Sequence, residues 1–299
     1  MLSTMMDIPL SLTRILEYGA SVHGSTTVTT WHGEGTGSEF DPAEEVTFRD
    51  IAARAAAFAH AIHDDLGITG DERVGSFMWN CAEHLEVMFG TACKGAIFAP
   101  LNKQLMNDQI RHIINHAEIS AIVCDPRLAQ QLGKVLVGTD SVKSVIITGA
   151  QPAQQFAHLF PRGIEVYSYE ALIDGRSTVY DWPELDERTA AALCYSTGTT
   201  GAPKGVLYSH RSLYLEAMQL RSSDSLCITH GETFLCCIPI CHVLSWGVPF
   251  TCFMTGTPLV LPDADVSAPT LAKAIAATSP RVAHGVPTIW IQLFVHYMH

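Results

Sequence analysis

The sequence predicts an α/β fold, with parallel-rich sheets covered by helices on both faces. Three observations carry this. Short apolar runs alternate with segments of helical periodicity along most of the chain. The runs show little polar alternation, as strands buried on both faces require. Apolar residues make up 47% of the 299 residues and charged residues 16%, a composition that folds into a substantial core.

Residues 1–46 stand apart as an N-terminal segment. Its start, MLSTMMDIPLSLTRILEYG, is broken by Asp7, Arg14 and Glu17 and does not read as a secretory signal. Thr47 to Gly67 is helical: Ile51, Ala55, Phe58, Ala59 and Ile62 share a face, Thr47 caps the start with Asp50 three residues on, and Gly67 marks the stop. RVGSFMWN is then a short apolar run, followed by a helix from Glu83 to Lys94. The strand-like IFAPLN precedes a helix from Asp108 to Ala117. AIVCD precedes a helix from Arg127 to Val137, and SVIIT closes the series. Residues 174–188 are polar and read as a surface connection. AALCYS is the next strand, Ser209 caps a helix from about His210, and TFLCCIP, TPLVLP and RVAHGVP are further strands with helices between. Residues 47–188 are thus expected to form a first α/β region, and 189–299 a glycine-rich loop region with the start of a second.

A net charge of −12 and the lack of a basic stripe argue against a nucleic-acid partner. Nine cysteines lack framework spacing, which points to a reducing, cytoplasmic setting. No charged residue occurs from Thr233 to Pro262, but Pro239, His242, Gly247 and Pro249 interrupt the stretch. It reads as a buried strand followed by a buried helix, not a transmembrane segment.

The stretch YSTGTTGAPKG, Tyr195 to Gly205, is expected to lie after a buried strand and before a helix, where backbone N–H groups converge on phosphates. Gly198, Gly201 and Gly205 permit close approach and positive φ. Ser196, Thr197, Thr199 and Thr200 add hydroxyls, and Lys204 adds a charged donor. The spacing is not that of a Walker A loop, because Lys204 follows Pro203 and precedes Gly205.

This stretch resembles the signature loop of the AMP-forming adenylating enzymes. LNKQLMNDQIRHIINHAE (Leu101 to Glu118), IPICHVLSWG (Ile238 to Gly247) and HGVPTIW (His284 to Trp290) resemble further segments of that superfamily. The last two look most like medium- and long-chain fatty acyl-CoA synthetases. The likeness spans almost the whole chain from about Thr47.

The resemblance implies a ligase that joins a fatty acid to ATP as an acyl-adenylate and then to CoA, with Mg²⁺. On that likeness Thr197 to Gly205 (including Thr199, Thr200, Gly201 and Lys204) would embrace the phosphates, and Ser196 would be a Mg²⁺ ligand. His242 would lie near the reacting carboxylate and Trp246 would gate the acyl path. Gly285, Val286, Pro287 and Thr288 would line the substrate site. Ile240 and Cys241 stand where relatives often have Met and Phe, which alters the local pocket shape. The resemblance further implies an incomplete N-terminal domain of that fold. Contacts to adenine, ribose and CoA, and the small C-terminal domain, would lie beyond residue 299, leaving the chain inactive alone with unpaired sheet edges and apolar faces. Peripheral membrane contact and a homodimer stay open. So do a ligase for an aryl or amino acid and a non-catalytic relic that at most binds nucleotide.

Other residues invite rival readings. Cys236, Cys237, Cys241 and His242 resemble a metal cluster, but strand neighbours point to opposite faces. His112 and His116 are four apart on a helix that Ile113 and Ile114 mark as core-packing, so solvated or packed imidazoles are expected. Trp290 and Phe294 read as core.

Overall fold

The protein is described by a computed structural model covering residues 1, 3–33, 43–196 and 203–298. Among the described residues, twelve strands form two sheets. In chain order they are β1 (Thr27–Trp31), β2 (Ala43–Thr47), β3 (Arg73–Phe77), β4 (Ile97–Pro100), β5 (Ile119–Cys124), β6 (Ser144–Ile147), β7 (Glu165–Ser168), β8 (Ala190–Ser196), β9 (Lys204–Ser209), β10 (Phe234–Cys236), β11 (Leu259–Leu261) and β12 (Val282–His284). One sheet has the order β7-β6-β5-β3-β4-β8-β9, the other β12-β10-β11-β1-β2. Pairings are parallel except β8 with β9 and β1 with β2, each at a sheet edge.

The apolar clusters define five layers. Helices Asn107–Ala117 and Ala129–Leu136 cover the outer face of the seven-stranded sheet, through Ile110, Ile114, Leu132 and Leu136. Between the sheets lie helices Leu12–Val22, Phe48–Asp64, Ala82–Lys94, His210–Leu220 and Val248–Thr255, sharing one core with Val74 and Phe98 of one sheet and Val28, Phe234 and Leu259 of the other. Helices Ala268–Thr278 and Pro287–Met298 cover the outer face of the five-stranded sheet. A helix between two sheets is apolar all round. Accordingly Ala82–Lys94 is buried along its whole length apart from Glu83, and Val248–Thr255 is buried at every residue. No described helix is long and apolar enough to cross a membrane.

The Phe48–Asp64 helix starts as its sequence predicts. Thr47 Oγ1 accepts from Asp50 N–H at 3.2 Å, and Asp50 Oδ2 accepts from Thr47 N–H at 2.9 Å. Two buried titratable groups of the central layer are paired. His84 sits between Ser76 Oγ (2.8 Å) and Trp79 O (2.9 Å), and Glu86 accepts from Arg54 Nε (2.8 Å) and Tyr169 OH (2.7 Å).

Three expectations change. The N-terminal segment is not a separate piece: it supplies helix Leu12–Val22 and two strands, and β1 lies inside the five-stranded sheet. Sheet membership therefore cuts across the sequence boundaries at 46/47 and 188/189, since β8 and β9 complete the other sheet. Phe294 is 65% exposed, not core, because only Leu293 of the Pro287–Met298 helix is buried. Ile291, Val295, Tyr297 and Met298 are exposed with it, and among the described residues β12 and β9 are sheet edges with one unpaired side.

Candidate active site

Open α/β sheets bind ligands beyond the carboxyl ends of their parallel strands. Here a cavity of about 980 Å³ opens there, with walls from both sheets. Trp79 and Asn80 follow β3, Lys103 follows β4, Cys237 to His242 follow β10, Asp263 follows β11, and Gly285 to Thr288 follow β12. His242, Trp246, Gly285, Val286, Pro287 and Thr288 are thus brought onto one cavity. Gly285 serves close packing: a Cβ there would sit 3.0 Å from the Trp290 ring, whose indole N–H donates to Gly285 O at 3.1 Å.

His242 introduces an unusual turn. Val243, Leu244, Ser245 and Trp246 all have positive φ, between 47° and 57°. Each non-glycine residue in this left-handed region costs about 1–2 kcal/mol. The turn is held by Ser245 Oγ donating to Ile238 O (2.6 Å) and by His284 Nε2 donating to Ser245 O (3.2 Å), with Leu244 and Ser245 fully buried. That geometry leaves the Trp246 side chain out in the cavity, 57% exposed. Burial, with the nearby Lys103 charge, lowers the pKa of His242 and favours neutral imidazole.

Sequence reasoning missed several residues that build this wall. Asn80 is 5% exposed; its Nδ2 donates to Ile238 O (2.9 Å), its Oδ1 accepts from Ile240 N–H (3.0 Å), and its backbone O accepts from Asp263 N–H (3.1 Å). It fastens the strand-end loops of one sheet to those of the other. Arg127 donates to both oxygens of Asp263 at 2.8 Å and also pairs with Asp125, and His32 Nδ1 lies 3.1 Å from Asp263. Burial pulls the Asp263 carboxyl up, but His32 and Arg127 outweigh it and the net shift is down. The His32 imidazole is pushed up, chiefly by its bond to Asp263.

The glycine- and hydroxyl-rich stretch sits differently from expectation. Residues 204–209 form β9, antiparallel to β8, so the stretch joins two strands of a hairpin and does not open a helix. Ser196 pairs with Lys204 and Tyr195 with Gly205. The helix starts one strand later, at His210, with Ser209 Oγ accepting from Ser212 N–H at 3.1 Å. Lys-Gly-Val-Leu-Tyr-Ser has the β-branched and aromatic content of a strand, and this decides the local structure. Gly205 does not adopt positive φ; it is needed because a Cβ would lie 3.1 Å from Leu193 and Tyr195. Thr197, Gly198, Thr199, Thr200 and Gly201 lie outside the described residues. Ser196 and Lys204 are exposed together at the hairpin mouth and do not line the cavity. The hairpin nonetheless packs toward the cavity wall, because Cys194 of β8 and Leu244 of the turn are buried in the same apolar cluster.

Cys236, the last residue of β10, and Cys237, just after it, belong to different core clusters, on opposite faces of the five-stranded sheet. His112 and His116 are exposed, and His116 Nδ1 is 2.6 Å from Tyr195 OH.

With this geometry described, comparison with known proteins gives the family. The model of the AMP-binding enzyme family matches residues 17–298. The chain belongs to the AMP-binding enzymes. It is 32% identical over 296 residues to a 3-methylmercaptopropionyl-CoA ligase of Ruegeria lacuscaerulensis, covering 99% of this chain and 53% of that protein. It is also 32% identical to a medium-chain fatty acid–CoA ligase of Ectopseudomonas oleovorans, with 97% and 51% covered. Among solved structures, an anthranilate CoA ligase with bound anthranoyl-AMP has the same fold, with a TM-score of 0.80 at 21% identity, covering 97% of this chain and 52% of that one. The chain spans about half the length of the curated relatives it matches.

Proposed function

We propose that this chain supplies the phosphate-binding hairpin and the acyl cavity of an AMP-forming acid–CoA ligase acting on a fatty acid. The observation that carries the reading is a largely apolar cavity at the strand ends whose His242–Trp246 turn, through Leu244, shares a buried cluster with Cys194 of the strand that leads into the Ser196–Lys204 hairpin. The acid's carboxylate attacks the α-phosphorus of ATP, giving acyl-adenylate and pyrophosphate; the CoA thiol then displaces AMP.

The task of the chain in the first step is to hold a polyanion and align a carboxylate beside it. Lys204 supplies charge at the hairpin mouth. His242, kept neutral, stands in the cavity wall near the carboxylate, and Trp246 occupies the path between hairpin and cavity. Ser196 fits one position of a Mg²⁺ shell completed by phosphate oxygens and water; the ion would neutralise phosphate charge. No group of three or more His, Cys, Asp or Glu residues that could hold a metal occurs among the described residues.

A flat aryl acid is the second reading, favoured by the indoles of Trp79, Trp246 and Trp290 around the cavity. Titration of the chain with Mg-ATP, then with octanoate and benzoate in competition, separates the readings. Octanoate should bind more tightly than benzoate, and Lys204→Ala should weaken Mg-ATP without changing octanoate affinity. No detectable binding of Mg-ATP by the folded chain refutes the ligase reading in favour of a relic.

A further inference from the structure

Lys103 is a buried cation that the reading above leaves without a task. It follows β4, is 8% exposed, and lines the cavity. Its Nζ donates to Met78 O at 3.2 Å and stands 4.0 Å from the centre of the Trp79 ring. An ammonium has three donors, and among the described residues one carbonyl and one aromatic face are all that meet it. It is the one lysine or arginine among the described residues of the cavity wall. Asp263, in the same wall, is already bound by Arg127 and His32. The Trp79 indole N–H is itself buried with no acceptor. This part of the wall is short of negative charge.

Its neighbours fix which anion fits. Lys103 and His242 line the same cavity, and the Lys103 charge acts on His242 and on the neighbouring Cys241, after the effect of burial. The rest of the nearby wall is apolar, with Ile238, Val286 and Trp290. A cation at one end of an apolar cavity suits a monocarboxylate with an apolar chain. A cation kept in a largely dry site also binds an anion more strongly than one in water. Burial lowers the pKa of Lys103, while the Asp125 and Asp263 charges act in the opposite sense.

We propose that Lys103 is the binding residue for the carboxylate of the acid substrate, holding it beside His242 before ATP reacts. This rests on the acyl-cavity reading, deepens it, and assigns the substrate end to a residue outside the hairpin. A phosphate oxygen has similar chemistry, so the test distinguishes the two anions.

The folded 299-residue chain is titrated with octanoate, with octanamide of the same length, and with pyrophosphate, by calorimetry and tryptophan fluorescence. Lys103→Met, which keeps the stem, and Lys103→Arg, which keeps the charge, are compared with it. A charge-assisted bond predicts that the parent chain prefers octanoate over octanamide by roughly tenfold to a hundredfold. Lys103→Met should abolish that preference and leave octanamide affinity within about threefold; Lys103→Arg should keep it. Equal binding of octanoate and octanamide by the parent chain overturns the proposal while leaving an acyl cavity in place, whatever the fate of the variants. So does a preference that survives in Lys103→Met, or a loss of pyrophosphate affinity in place of octanoate affinity. Binding of neither octanoate nor octanamide refutes both this assignment and the acyl-cavity reading.

Discussion

Replacing Asn80 tests whether the cavity is held together as the structure shows. One side-chain amide spans the two sheets, with Nδ2 on Ile238 O at 2.9 Å and Oδ1 on Ile240 N–H at 3.0 Å. Asn80→Ala removes both bonds at once. Ile238 O keeps a partner in Ser245 Oγ, but the buried Ile240 N–H is left without its acceptor. A lost hydrogen bond is worth about 1 kcal/mol, and a buried donor left unpaired costs about 1–3 kcal/mol. The expected destabilisation is therefore about 2–4 kcal/mol. Urea unfolding followed by circular dichroism reads this as a lower midpoint at unchanged slope. Asn115→Ala is the control, because that exposed amide makes one long contact, 3.4 Å to Gly138 O, and its loss should matter by no more than about 0.5 kcal/mol. Asn80→Asp adds a sharper test. It keeps an acceptor for Ile240 N–H but turns an oxygen toward Ile238 O, so it should be as damaging as alanine at neutral pH and recover as the carboxyl protonates. If Asn80→Ala unfolds at the same midpoint as Asn115→Ala, the bridge between the sheets is not what holds the His242 loop.

Three further outcomes are expected. Because the folded-state pKa of His32 is raised above its ordinary 6.5, its pairing with Asp263 stabilises fully below that value and is lost as pH rises through the raised one. The stability gap between the parent and His32→Gln, within about 1 kcal/mol for this partly exposed ring, should thus be larger at pH 6 than at pH 8; a gap constant or growing over that range contradicts the pairing. Gly205→Val should cost about 1–3 kcal/mol by pressing Tyr195 off His116, while Gly205→Ala is milder; loss of Mg-ATP affinity at unchanged stability would instead show that the glycine serves the phosphates. The exposed Ile291, Phe294, Tyr297 and Met298 should make the chain bind anilinonaphthalene dyes and self-associate, both reduced by Ile291→Glu with Phe294→Glu, and a monodisperse parent chain that binds no dye would count against this.

β3 to β6 and β8, with the helices beside them, were legible because each is locally consistent: a capping box at Thr47 and Asp50, and apolar runs such as Ala121–Cys124. β1 was not legible. Thr-Val-Thr-Thr-Trp is polar by composition, yet Thr30 is buried because its Oγ1 accepts from Ala82 N–H at 3.1 Å, a partner 52 residues away. β9 was hidden for the opposite reason. Its glycine and lysine look like loop residues, and only pairing with β8 shows that Gly205 is there to make room for Tyr195. Phe294 was assigned to the core by its apolarity alone, and apolarity does not say whether anything lies opposite.

The same distinction runs through the site. His242, Trp246 and Gly285 to Thr288 could be gathered from two quoted segments, because each segment is contiguous and the two follow neighbouring strands of one sheet. Asn80, Lys103, Arg127 and Asp263 could not, since they come from four different strand ends on two sheets and carry no local pattern that marks them as neighbours. What unites them is topology. Parallel strands send all their carboxyl-end loops the same way, so once β3, β4, β5 and β11 are placed, a lysine after one and an aspartate after another must face a shared space. Charges brought there are not spread evenly: Asp125 and Asp263 share Arg127, Asp263 also takes His32, and Lys103 is left over. A buried cation without a carboxylate is costly to keep, and the carboxylate of an acid substrate is the group whose arrival in this cavity would repay that cost.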